Sequence, residues 1–89
     1  MKLLKFSTRF CSQCRVVARN LKEANLPIEI EEIDAEENEQ LSRAYNIQSV
    51  PVCILVNDKH EVVKRWDGIF NMKELEEIVE RNKIHEEFK

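Results

Sequence analysis

The sequence predicts an α/β domain: a mixed four-stranded sheet with helices on both faces, in the order strand, helix, strand, helix, strand, strand, helix. Three observations predict it. Apolar residues recur every three or four positions at Cys14, Val17, Ala18, Leu21 and Ala24, and again at Met72, Leu75, Ile78 and Val79. Val52 to Val56 is an unbroken apolar run of strand length, the mark of a strand covered on both faces. Pro27 and Gly68 stand where one pattern gives way to the next.

Taken in order, Leu3, Leu4 and Phe6 suit a short buried strand. The stripe beginning at Cys14 gives the next segment one core-facing side, as an amphipathic helix requires. Asn25-Leu26-Pro27 ends that helix, because proline cannot continue it and biases its predecessor away from helical angles. A second strand follows at Ile28 to Ile33. Glu36 to Tyr45 has a weaker stripe of Leu41, Ala44 and Tyr45 and reads as a short helix stopping at Asn46, with acids near its start to complement the dipole. Val52 to Val56 is the central strand. Asn57-Asp58-Lys59-His60 supplies a turn, and Glu61 to Trp66 returns as the partner strand of a hairpin. Asn71 with Glu74 resembles a capping box opening a last helix that ends near Asn82, and residues 83–89 are expected to fray.

With 89 residues, 43% of them apolar, one glycine and two prolines, residues 1–89 read as a single domain with a small core and no linker or repeat. The apolar run at the N-terminus is too short for a signal sequence, and no segment approaches the length needed to cross a bilayer. A cytoplasmic address without membrane contact is the expectation, and a net charge of −3 gives no general pull toward nucleic acid. Charge is nevertheless segregated. Residues 1–22 contain Lys2, Lys5, Arg9, Arg15, Arg19 and Lys22 without an acid, whereas acids crowd the stretch from Glu29 to Glu39. Such runs are commonly solvated faces; Arg9 and Arg15, flanking two cysteines, are candidates for stabilising a thiolate or choosing partners.

Those cysteines carry the chemistry. Cys11 and Cys14 follow the first strand and open the first helix. At a helix start, unsatisfied N–H groups and the positive end of the dipole favour thiolate over thiol, and a second Cys about one turn on is close enough to close a ring with the first. Cys14 belongs to the buried stripe and Cys11 precedes it. The first sulfur should therefore be exposed and the second shielded, which suits a nucleophile and a resolving thiol. Three cysteines are too few and too odd for a disulfide framework. A zinc site is short of ligands, since Cys53, His60 and His85 fall at no ligand-like spacing, so no metal is expected. Two merely structural cysteines remain the bland alternative.

Three landmarks in this order, Phe10-Cys11-Ser12-Gln13-Cys14 after the first strand, Ser49-Val50-Pro51 before the central one and Gly68 after the hairpin, resemble the thioredoxin superfamily over about residues 2–82. The resemblance implies a thioredoxin-like fold of order βαβαββα. It also implies a cis bond at Val50-Pro51, with Val50 backbone groups turned toward an extended partner segment. Gly68 would permit a partner backbone to approach, and Phe10, standing where thioredoxins carry Trp, would cover the disulfide and offer a flat contact surface. Phe10, Ser12, Gln13, Val50, Pro51 and Gly68 thereby become candidate substrate-binding residues, while Trp66 is read as packing.

The expected activity is thiol-disulfide exchange with partner proteins, as a cytoplasmic monomeric reductant with no bound cofactor. Electrons would come from a separate NADPH-dependent, thioredoxin-reductase-like enzyme or from glutathione. Departures from the family pattern leave room for other readings. Ser12-Gln13 replaces the usual Gly-Pro and bears on redox poise. Lys5 stands where many thioredoxins bury an acid, and is read foremost as an exposed strand residue, otherwise as a neutral base or a cation favouring thiolate. Arg19 lies where a helix-kinking proline is usual. Cys53 is read as a small buried hydrophobe. The alternatives are a glutaredoxin-like glutathione-dependent reductase, disfavoured because Trp66-Asp67-Gly68 replaces a Gly-Gly turn; a non-catalytic binding module; and a metal or iron-sulfur site shared between two chains.

Overall fold

The chain runs β1 (Lys2–Ser7), α1 (Ser12–Ala24), β2 (Glu29–Asp34), α2 (Glu39–Ala44), β3 (Val52–Val56), β4 (Val62–Asp67) and α3 (Met72–Glu87). This is a computed structural model, describing the backbone of residues 1–87 and the side chains of residues 1–82. The strands form one sheet in the order β2-β1-β3-β4. β1 pairs parallel with β2 and antiparallel with β3, and β3 pairs antiparallel with β4, so the sheet is mixed.

Period-two alternation along the central strands divides the core into two layers. On one face Leu3, Cys53, Leu55 and Trp66 pack against Val17 and Leu21 of α1 and Leu75 and Val79 of α3. On the other, Leu4, Phe6, Val52, Ile54 and Val56 meet Ile33, with Tyr45, Ile47 and Val50 packed over them. All five residues of β3 are buried, as a central strand covered on both sides demands.

Element ends follow local chemistry. α1 stops at Asn25, whose left-handed φ of 47° and N–H bond to the Leu21 carbonyl (3.1 Å) form a C-cap ahead of Pro27. α2 is shorter than expected, beginning at Glu39 rather than Glu36. The reason is Asp34, whose Oδ1 accepts the N–H groups of Glu36 (2.9 Å) and Glu37 (3.3 Å) and holds the intervening residues in a turn. The α2 stripe is also not a buried one: Leu41 and Ala44 are exposed, and Tyr45 alone turns inward, 5.7 Å from the Phe6 ring.

At α3 the expected capping box does not form: Asn71 caps the helix start by accepting the Lys73 N–H on Oδ1 (2.9 Å) and not that of Glu74, and the Glu74 carboxylate pairs with Lys64 Nζ at 3.2 Å. The helix runs past Asn82, whose side-chain Nδ2 donates to the Ile78 carbonyl (2.8 Å) without ending it. The backbone of residues 83–87, part of the stretch expected to fray, continues α3, and residues 88 and 89 lie outside the described residues.

Candidate active site

β1 delivers the chain to its carboxyl edge, and residues 8–11 turn it into α1 with Cys11 as the N-cap, one residue before the first helical position. Cys11 Sγ accepts the N–H of Cys14 at 3.1 Å, satisfying one of the donors a helix start leaves orphaned. The two Cα atoms are 5.2 Å apart and the sulfurs are joined in a disulfide. Cys14 is 5% exposed and sits on the α1 stripe with Val17 and Leu21, whereas Cys11 is half-buried. In the reduced pair, the donor already aimed at Cys11 Sγ and the helix end behind it favour the thiolate.

The loop before β3 faces this sulfur. The Val50 carbonyl lies 3.9 Å from Cys11 Sγ, a contact in the disulfide and an acceptor for a thiol proton in the dithiol. The Val50-Pro51 peptide is cis and Pro51 is fully buried. Gly68 reaches the same loop from β4 by donating its N–H to the Pro51 carbonyl (2.8 Å). Its φ of 92° explains the glycine, because an added Cβ would meet nothing within 4 Å. The space over Gly68 is therefore open. Cys11, Cys14, Val50, Pro51 and Gly68 are brought together at one edge.

The remaining candidates stand outside that cluster. Phe10 is 87% exposed, so within the fold it does not cover the disulfide; it projects apolar surface beside it. Ser12 and Gln13 are exposed on the first turn of α1. Ile69, 51% exposed directly after Gly68, adds apolar surface that no periodic pattern singled out; its sequence signal is an apolar residue after a hairpin glycine and outside any stripe.

Lys5 corrects the expectation of an exposed strand residue. It is 4% exposed, on the α1-facing side of a central strand, and its Nζ lies 2.7 Å from Glu32 Oε1, the residue directly opposite on β2. Glu32 itself stays largely in solvent, so the pair links a buried cation to a hydrated carboxylate at the rim of a groove under α1. Cys53 lies opposite Lys5 on β3 and is fully buried. Burial pushes its thiol up to about 12, with the Lys5 charge pulling in the other direction. Trp66 packs as expected, stacked on Phe70 at 4.5 Å, while its buried indole N–H finds no partner of good hydrogen-bond geometry despite the nearby Glu74 carboxylate. Among the described residues no three metal-ligating side chains gather, and His85 lies outside the described side chains.

The family model for Thioredoxin matches residues 1–81. The chain belongs to the thioredoxin family. It is 32% identical over 79 residues to the SPbeta prophage-derived thioredoxin-like protein YosR of Bacillus subtilis, covering 89% of this chain and 95% of that one. It is 29% identical over 84 residues to the thioredoxin of Buchnera aphidicola, covering 90% and 77% of the two chains. Among solved structures, thioredoxin 1 from Thermosipho africanus superposes with a TM-score of 0.81 at 26% identity, covering 98% of this chain and 99% of the other. The fold is thioredoxin-like, and this thioredoxin-family chain is a thiol-disulfide oxidoreductase.

Proposed function

We propose that the chain is a reductant of disulfides in partner proteins, with Cys11 attacking and Cys14 resolving. One observation carries the assignment: the N-cap Cys11 is only half-buried and its sulfur accepts the Cys14 N–H, while Cys14 itself is buried behind it. The Cys11 thiolate attacks one sulfur of the partner disulfide, the partner S–S bond breaks, and the departing thiolate takes up a proton. Cys14, having lost its own proton, then attacks Cys11 Sγ. The mixed disulfide breaks, the partner leaves as a dithiol, and two electrons have passed from the Cys11-Cys14 pair, now a disulfide, to the partner.

Phe10, Ser12, Gln13, Val50, Pro51 and Gly68 form the docking rim. The Val50 carbonyl beside Cys11 and the open space over Gly68 favour an extended partner segment laid across this edge. The chain works as a monomer in the cytoplasm, where close cysteine pairs are held reduced. It binds no organic cofactor, and a thioredoxin-reductase-like enzyme returns the electrons. Reduction of insulin by wild type, Cys11→Ser and Cys14→Ser tests the roles. Cys11→Ser is expected to be inactive and Cys14→Ser to accumulate a mixed disulfide; equal turbidity in all three would reject the assignment. Recycling by glutathione alone, with no turnover by a thioredoxin-type reductase, would instead place the chain with glutathione-dependent reductases.

A further inference from the structure

We infer that the α1 side of the cysteine edge selects partner proteins whose disulfide is flanked by acidic residues, with Arg15 and Arg19, assisted by Arg9, as specificity determinants. The inference rests on the proposed reductase reading and names its substrate class. Cys11, Arg15 and Arg19 follow one another at intervals of four, so they line one face of α1 leading away from the reactive sulfur. Arg9 lies two residues before Cys11. All three arginines are exposed, and among the described residues none has a carboxylate within 4.0 Å.

This arrangement is unfavourable for the helix taken alone. No acid occupies the first turn of α1, where the dipole would welcome one, and Arg15 and Arg19 repel each other across a single turn. Elsewhere the chain pairs exposed or half-buried cations with its own acids, as in Lys2–Glu31, Arg43–Glu39, Lys64–Glu74 and Arg65–Asp67. Among the described residues Lys59, Lys73 and Arg81 also have no carboxylate within 4.0 Å, yet each has acids within three positions in sequence. Along α1 the first acid is Glu23, at the far end.

The nearest acids on β2 are already engaged: Glu32, at the rim of the groove under α1, pairs with Lys5, and Asp34 accepts the N–H groups of Glu36 and Glu37. The cationic face therefore stands uncompensated beside Cys11, with exposed Phe10 next to it. A partner that sets its disulfide on Cys11, an apolar contact on Phe10 and carboxylates along α1 would supply the charges the helix lacks. An arginine face also accepts carboxylates with bidentate geometry.

The test uses three cyclic disulfide peptides, identical except for Glu, Ser or Lys beside the cysteines, and measures second-order reduction rates with the pre-reduced protein. At low ionic strength the Glu peptide is expected to react about tenfold faster than the Lys peptide, a ratio within the reach of electrostatic steering, and the ratio should collapse in high salt. Arg15→Glu with Arg19→Glu should invert the preference. The ratio is the readout because a change in Cys11 reactivity alters all three rates together and cancels. Equal rates for the Glu and Lys peptides in low salt, or a ratio unmoved by the charge reversal, would overturn the inference while leaving the reductase reading standing. Failure to reduce any of the peptides, the Ser one included, would overturn both.

Discussion

Cys11 and Cys53 place the same thiol in opposite surroundings. Cys11 caps a helix at the sheet edge, half-buried, with the Cys14 N–H 3.1 Å from its sulfur. Cys53 lies in the middle of β3, fully buried, its proton held until about pH 12 by the cost of charging a sulfur in an apolar layer. Lys5, across the strand pair, eases that cost and is outweighed. Reactivity thus follows access and the presence of donors for a negative sulfur, not residue type.

Exchanging the two positions gives the largest effect. Cys11→Ser should reduce insulin-reducing activity to the uncatalysed level, whereas Cys53→Ala should leave it unchanged. A Cys53→Ala protein as inactive as Cys11→Ser, though folded by circular dichroism, would show that the comparison is drawn between the wrong cysteines. Thiol counting with an aromatic disulfide reagent sharpens the same contrast. In the reduced native protein Cys11 and Cys14 should titrate at neutral pH, and Cys53 only after denaturation.

Next in size is the charge that faces Cys53. Glu32→Gln removes the hydrated partner of a buried ammonium and should destabilise the fold by roughly 1–3 kcal/mol in urea titration. Lys5→Met combined with Glu32→Gln should recover most of that loss, because replacing both charges leaves neither one unpaired. A double variant less stable than Glu32→Gln alone would mean that Lys5 contributes more than its charge pairing.

The smallest effect is on Cys53 itself. Cys53→Ala deletes a buried sulfur and should lower stability by about 1–2 kcal/mol at neutral pH. An unfolded thiol ionises near its ordinary value of 9.0 while the folded one holds its proton to about 12. The unfolded chain therefore releases a proton first, and the stabilisation from this thiol is whole below pH 9 and is lost as pH rises toward 12. Between those limits Cys53→Ala should flatten the fall of stability with pH relative to wild type. Parallel curves for the two proteins would sink this account.

The sequence made the element order and the reactive corner legible because both rest on local signals. The Cys14-Val17-Leu21 stripe, the Val52–Val56 run and the turn at Asn57 each depend on neighbours in the chain, and the structure realises them as α1, β3 and the β3–β4 turn. What it concealed depends on register. Lys5 reads as an exposed strand residue until β2 is aligned beside β1 and Glu32 falls opposite it. The length of α2 was overestimated because Asp34 competes for the backbone donors of Glu36 and Glu37, a side-chain effect that apolar spacing does not record. Ile69 escaped notice because exposed apolar residues have no period.

The wall that faces Cys11 has no hinge of its own. Pro51 leads directly into β3, buried along its whole length, and its carbonyl is fastened to the Gly68 amide where the outer strand ends. Loosening that wall means breaking β3 out of the sheet, so the β3 amides and the Gly68 amide are expected to exchange together in the slowest class when amide hydrogen exchange is measured. On the proposed docking mode, a disulfide brought to Cys11 would meet a surface already set before contact, and the adjustment would fall to the incoming chain.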